Sequence, residues 1–290
     1  MHPSGGALAG PGSLASAFAV DIPDEVLQSV SSVGEESYDD IFSDFADALL
    51  DTKSIDSVHS FISSHQHNSA PAAGGAPKPQ VIARVAGTGL APWEIHRPQK
   101  FVRDLVLRGR FSGRVLDAGC GIGDNALFIA KACPQAAVTA VDVVPRCLEF
   151  AAAKAKLRGM CGKVQMMAAD LLEDDSAQQH AALASPAADG AYDCVLDSST
   201  FHCFGDGDRQ RYVAALGRLL SPGGRLFLNA MSEAEARPGG PRRITVPDLL
   251  SVFNRQSGWE VDLIEDSIIE LHPTFWGGKA LARLFTIRKL

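Results

Sequence analysis

The feature that most constrains this chain is the segment VLDAGCGIGDNALFIA at 115–130. A short apolar run carries Asp117 into glycines at alternate positions, Gly119, Gly121 and Gly123, and a helix-spaced stretch follows at once. Glycine lets the backbone turn sharply from strand to helix without a steric penalty. It also lets a ligand approach the main chain at the mouth of the turn. The segment therefore reads as one βα unit of an alternating sheet.

The alternation continues to the C-terminus. DNALFIAKAC (124–133) predicts a helix and AVTAVD (137–142) a second strand. In VPRCLEFAAAKAKLRG (144–159), Pro145 starts a helix and Gly159 suits its end. KVQMMAAD (163–170) and YDCVLD (192–197) predict strands three and four. DRQRYVAALGRLL (208–220) predicts a helix with Tyr212, Val213, Leu216, Leu219 and Leu220 on one side. SPGG (221–224) reads as a turn before the strand RLFLNAM (225–231), and VPDLLSVFNRQSG (246–258) as one more helix. WEVDLIEDSIIEL (259–271) and ALARLFTIRK (280–289) close the chain as two strands with no helix between them. Strands joined through helices form a parallel sheet with right-handed crossovers, so the final pair should be an antiparallel hairpin at one edge. The expected fold is a doubly wound, Rossmann-like α/β sheet of about seven mostly parallel strands with a C-terminal antiparallel hairpin.

Charge divides the 290 residues in two. Residues 1–80 hold eleven Asp/Glu against two Lys, whereas 81–290 hold 23 Asp/Glu against 25 Lys/Arg. A body so close to neutral lacks the basic face that a phosphate backbone requires, which excludes nucleic acid as the main partner. Residues 1–20 are rich in Gly, Ala, Ser and Pro and read as a disordered tail. YDDIFSDFADALL (38–50) reads as a short acidic amphipathic helix that either packs on the body or stays marginal, or else docks a protein partner. NSAPAAGGAPKPQ (68–80) reads as a linker, so the expected division is an acidic extension, 1–80, and a folded domain, 81–290. No apolar run is long enough for a membrane helix. The six cysteines form no C-x-x-C pair, which argues against a metal site and for reduced thiols. With no secretory signal apparent, the expected location is the cytoplasm.

The acids define the chemistry. Asp142 ends the second strand nineteen residues after Gly123, where a carboxylate can accept hydrogen bonds from a ribose diol. Asp117, Asp142, Asp170 and Asp197 end consecutive strands on one edge of the expected sheet. A nicotinamide dinucleotide is the alternative, because Gly121, Gly123 and Ala126 match G-x-G-x-x-A in one register. The register from the first glycine instead places Asp124 at the third small position, where a negative charge opposes a pyrophosphate. A ligand with an adenosine, a cationic sulfonium and an amino-acid tail suits these acids better. That ligand is S-adenosylmethionine.

VLDAGCGIG, AVD, AAD and LSPGGRLFLNA, in this order and spacing, resemble a class I S-adenosylmethionine-dependent methyltransferase over roughly residues 90–290. APWEIHRPQKFV (91–102) and DSSTFHCFGDGDRQRYV (197–213) are similar to the thiopurine, thiol and halide methyltransferase-like small-molecule group. The resemblance implies direct methyl transfer to a small-molecule acceptor, preferably a thiol or other soft nucleophile. It implies that Asp117 and the turn Gly119, Cys120, Gly121 and Gly123 surround the methionine part. Asp142, with Val143 beside it, would hold the ribose. Asp170 would approach the adenine amino group, with Leu171 adding a backbone contact. Asp197 and Ser198 would line the methyl end, and Trp93 and Arg97 would belong to a lid. His96 stands in that lid where the family more often has Gly. The Asp/Asn-Pro-Pro-Tyr/Phe pattern is absent after the fourth strand, which argues against amino-group methylation of bases or glutamine.

Three features admit two readings each. His202, in FHCF, is either a general base that activates or orients the acceptor, or a packed ring between Phe201 and Phe204. Phe275 and Trp276 either line the acceptor pocket or cap the core. Arg237, Arg242 and Arg243 either greet an anionic acceptor or lie on a solvated loop. Two rival functions also stand: an NAD(P)-dependent oxidoreductase, and a non-catalytic cofactor-binding scaffold that docks a partner through its acidic helix.

Overall fold

A computed structural model describes residues 82, 84–172 and 192–290. The expected helix at 38–50, the linker at 68–80 and the boundary placed there lie outside the described residues. The elements are α1 (Lys100–Leu107), β1 (Gly113–Ala118), α2 (Asp124–Ala132), β2 (Ala136–Asp142), α3 (Pro145–Leu157) and β3 (Val164–Ala168). After them come β4 (Tyr192–Ser198), α4 (Asp206–Leu219), β5 (Leu220–Met231), α5 (Val246–Val252), β6 (Trp259–Glu270) and β7 (Lys279–Lys289).

The seven strands form one sheet in the order β3-β2-β1-β4-β5-β7-β6. β1 to β5 pair in parallel, and β7 runs antiparallel to both β5 and β6. The C-terminal ends of β1 to β6 therefore share one edge. Successive strand residues face opposite sides, and both sides of this sheet are covered. On one side Leu116, Val195, Phe201, Tyr212, Leu216 and Trp259 pack together; on the other, Phe101, Leu105, Val115, Leu127, Val138 and Phe227 do so. Adjacent residues such as Val115 and Leu116 thus feed separate cores, which is why β1 reads as a continuous apolar run.

The structure departs from expectation at four boundaries. β3 stops at Ala168, so Asp170 lies two residues past the strand. α4 begins at Asp206, two residues early, because Asp206 and Asp208 favour the positive end of the helix dipole. SPGG is not a separate turn but lies within β5, where the pairing with β4 shifts register between Tyr192 and Cys194. The helix expected over 246–258 stops at Val252. There the Asn254 side chain accepts the N–H groups of Gln256 and Ser257, at 3.0 and 3.1 Å, and caps a single 3₁₀ turn instead. Among the described residues, no helix is long and apolar enough to cross a membrane.

Residues 84–99 form a strap ahead of α1. At α3, Arg146 Nε donates to Ala86 O at 2.9 Å. At the end of β6, Gln99 Nε2 donates to Glu270 O at 2.9 Å, and Glu270 N–H donates back to Gln99 Oε1 at 2.8 Å. His272 N–H donates to Pro92 O at 2.8 Å, while Gln99 N–H donates to Asn125 Oδ1 at 2.9 Å on the first turn of α2. The strap is thereby tied to α2, α3 and β6 across the C-terminal edge. Gln99→Leu should lose both bonds to Glu270 and cost about 1–3 kcal/mol, read as a lower Tm. Faster hydrogen exchange at the Glu270 amide should accompany it; an unchanged Tm with full protection would contradict the tie.

Candidate functional site

The glycine turn leaves the end of β1 and enters α2. At Gly123, φ is +78° and an added Cβ would lie 2.6 Å from Ala151 Cβ, so this glycine lets α2 and α3 pack closely. Gly121 also has positive φ, +52°, yet an added Cβ would meet nothing within 4 Å. Its open side leaves room for a ligand to approach the main chain.

Acids surround that opening. Asp142 Oδ2 accepts the Gly121 N–H at 2.8 Å and Oδ1 the Val144 N–H at 2.9 Å. Burial raises its carboxyl above the usual range. Val143, next along, is 60% exposed. Asp170 Oδ1 accepts the Leu172 N–H at 2.8 Å, with Leu171 buried between them. Asp117 differs from both. It is fully buried, and neither carboxyl oxygen makes a well-formed hydrogen bond, with only the backbone N–H of Ala126 favouring its charged form. Burial, with the nearby charges of Asp142 and Asp197 adding to it, pushes its carboxyl up to about 7.

Asp197 is also fully buried, but its oxygens are engaged. They accept from Thr200 N–H at 2.8 Å, Phe201 N–H at 3.1 Å and Tyr212 O–H at 2.9 Å. Burial pushes it up to about 6 against these bonds, so its visible work is to shape the turn after β4. Ser198 is half-buried at the end of that strand. Cys120 is buried, and burial holds its thiol well above the ordinary range, which keeps it protonated.

The strap residues divide. Trp93 packs against Val85 and Ala91 on one side and against the cluster of Met231, Ile269, Leu271 and Phe275 on the other. Arg97 pairs with Glu270 at 3.3 Å, which directs its charge toward β6. His96 has φ +57° and holds Gly89 O at 2.8 Å through Nε2, with its ring beside Phe150. Its left-handed backbone explains a family preference for Gly at this position.

Two charge arguments need correction. Asp124 does not present its charge to the turn: Lys154 Nζ lies 2.7 Å away and Arg158 Nη2 3.4 Å, both on the far side in or just past α3. The acids that gather at the turn are Asp117, Asp142 and Asp197 instead. The arginines after β5 neither await an anion nor float in solvent. Arg237 binds Glu235 through Nε and Nη2, at 2.8 and 2.6 Å, and also donates to Lys279 O and Trp276 O. Arg243 donates to the carbonyls of Glu235, Pro241 and Arg237, and Arg242 pairs with Asp206 and Asp248. Trp276 lies beneath both guanidinium groups, 5.1 Å from Arg237 and 5.7 Å from Arg243, and Phe275 is buried in the cluster below.

His202 is buried, and its Nδ1 accepts the Met231 N–H at 3.1 Å. Burial, reinforced by the charges of Arg243 and Arg209, pushes the ring down to about 3. The near-neutral titration that motivated a base is therefore absent. Sequence reasoning overlooked Glu94, which is buried, accepts the N–H groups of Gly87 and Ala91, and is pushed up to about 7 by burial. Its position after Trp93 in an otherwise apolar stretch was the available signal.

Fold and site together define a Rossmann-like protein arranged to hold a cationic, adenosine-bearing cofactor. The buried carboxylate without a well-formed hydrogen bond, the open face of Gly121 and the ring of acids fit such a group. A methyltransferase-domain family matches residues 115–224. A 2-heptyl-1-hydroxyquinolin-4(1H)-one methyltransferase of Mycobacteroides abscessus is 28% identical over 59% of this chain and 69% of its own length. A demethylmenaquinone methyltransferase of Thermus thermophilus is 39% identical over 40% of this chain and 46% of its own. A probable thiol methyltransferase 2 of Arabidopsis thaliana is 26% identical over 53% and 62%. This chain thus spans between about half and just over two thirds of these relatives. A solved structure described as "Conversion of a Disulfide Bond into a Thioacetal Group during Echinomycin Biosynthesis" aligns with a TM-score of 0.57 and 26% identity, over 68% of this chain and 84% of that one. Residues 115–224 thus match a methyltransferase domain, and S-adenosylmethionine is the cofactor that this likeness implies.

Asp117 makes a stability prediction. Its folded carboxyl, near 7, lies above the unfolded value of 3.8, so between those pH values the folded state holds a proton that the unfolded state has lost. Stability should fall as pH rises through that window and level off above it. Asp117→Asn should remove this dependence and raise Tm by several degrees at about pH 8, while weakening cofactor binding. A variant that is no more stable than the parent at that pH would contradict the assignment.

Proposed function

We infer that the protein transfers a methyl group from S-adenosylmethionine to a small molecule through a sulfur or other soft nucleophile. The observation that carries the cofactor half is the buried Asp117, without a well-formed hydrogen bond, beside the open face of Gly121. When bound, the cofactor supplies a methyl group on a cationic sulfur that departs as a neutral thioether. Asp117 and Asp142 counter the cofactor's positive charge and hold its ribose, with Asp170 and Leu171 at the adenine end. The strap bearing Trp93 excludes water, which a displacement of this kind needs more than it needs a strong base. In this reading residues 81–290 carry the activity, and 1–80 form an acidic extension able to dock a protein partner.

Support for sulfur comes from the resemblance of residues 91–102 and 197–213 to the thiol and halide group. The plant relative named as a thiol methyltransferase and the structure concerned with a disulfide and a thioacetal add to it. Relatives named for a hydroxyquinolinone and a demethylmenaquinone keep oxygen and carbon acceptors in any fair test.

Calorimetric titration with S-adenosylmethionine, S-adenosylhomocysteine and NADH should give binding of both sulfur ligands only. Asp142→Ala should lower that affinity by about tenfold or more, the worth of a charge-assisted hydrogen bond. Binding of NADH alone would overturn the cofactor. A panel of thiophenols, iodide, a hydroxyquinolinone and a demethylated quinone should show methylation of the thiols; turnover confined to the quinone would overturn the acceptor class.

A further inference from the structure

We propose that His202 serves the acceptor as a hydrogen-bond donor through Nε2–H, selecting a nucleophile that arrives already deprotonated, and does not remove its proton. This rests on the methyl-transfer reading for the acceptor, but its structural premise is independent of it. The Met231 backbone N–H donates to Nδ1 at 3.1 Å. An amide keeps its proton at every ordinary pH, so Nδ1 must offer a lone pair there, and the neutral ring carries its proton on Nε2. A base needs a free lone pair, and the ring's only lone pair is already used. Adding a second proton would turn two N–H groups toward each other and bury a cation.

The ring's surroundings agree. Arg243 and Arg209 are the charges that act on it, and both are cations. Arg209 is buried over the Phe201 ring at 4.9 Å, and its Nε and Nη2 have no hydrogen-bond partner. Its Nη1 pairs with the mostly exposed Asp206 at 4.0 Å, and the charge of Asp248 also acts on it. Acids thus gather at the cofactor end of the site, with Asp197 also bracing the turn that carries His202, while the charges acting on the His202 ring itself are those of the two cations. This arrangement favours an anionic acceptor facing a cationic cofactor.

Position links the two ends. His202 lies in the 3₁₀ turn Phe201–Cys203, just past β4. Beside it Thr200 Oγ1 donates to Ala118 O at 2.8 Å and packs so closely on Gly119 that any Cβ there would collide with it. On the other side Met231, its partner, joins the cluster of Ile269 and Phe275 against which Trp93 and Trp276 pack. The turn therefore lies between the cofactor loop and a buried apolar cluster whose partly exposed edge, Trp93 and Trp276, offers aromatic faces of the kind an aryl thiolate packs on.

Two measurements on the full chain test the proposal. First, ¹⁵N NMR of the imidazoles, with S-adenosylhomocysteine bound, should show His202 as the neutral Nε2–H tautomer from about pH 5.5 to 8.5. Adding 4-nitrothiophenolate should shift its Nε2 resonance. An Nδ1–H tautomer, a titration near neutrality, or no response to the thiolate would overturn the proposal. Second, kcat/KM is compared across thiophenols that are ionised or un-ionised at the assay pH. His202→Phe should lower it about 10- to 100-fold for the ionised thiols too, the loss of one hydrogen bond to a charged group. His202→Gln, which retains a donor, should recover most of it. A loss confined to un-ionised thiols, with Gln as poor as Phe, would instead make His202 the base. If the wild-type chain methylates no thiophenol, the acceptor reading fails, and the NMR result alone decides the role of the ring.

Discussion

The Asp117 carboxyl is held away from water with no well-formed hydrogen bond, and much of the site follows from that. A group so placed disfavours its own charge, and Asp142 and Asp197 on the neighbouring strands increase the penalty. The fold therefore carries an electrostatic cost that a cation at the same edge relieves. Parallel strands create the situation geometrically. Their C-terminal ends align, so acids separated in sequence converge on one line, which a single antiparallel strand, β7, extends without interrupting.

Around this line the structure separates functions that the sequence lists together. Asp142 braces the glycine turn through the Gly121 N–H, whereas Asp197 shapes the turn that carries Thr200 and His202. The arginines after β5 build a wall with Trp276 and Glu235. Burial does not keep Glu235 protonated, because Arg237 holds its carboxyl down at about 2. Opposite charges are thus satisfied within the wall, and the charges acting on the His202 ring are those of Arg243 and Arg209. The strap closes the arrangement by tying α2, α3 and β6 together.

What could be read from the sequence was what depends on local spacing. Glycines at 119, 121 and 123, an acid at the end of β2 and apolar residues at helical intervals on α4 are set by neighbours within a turn or a strand. What could not be read depends on partners far along the chain. Asp124 meets Lys154 thirty positions later, Gln99 meets Glu270 across 171, and His202 meets Met231 across 29. A histidine after a strand looks the same in sequence whether its ring nitrogen faces a substrate or a backbone amide. Helix ends failed for a related reason: Asn254 prefers to cap its own turn, and an apolar pattern that continues past it hides that preference.

The account stands on Asp117 giving up its proton when a cationic cofactor arrives. Calorimetric titration with S-adenosylmethionine at about pH 6.5, in two buffers of different ionisation enthalpy, measures this directly. A fraction of one proton released per cofactor bound, and none from Asp117→Asn, is the predicted result. Binding that releases no proton in the parent chain, or as much in the variant, would contradict it.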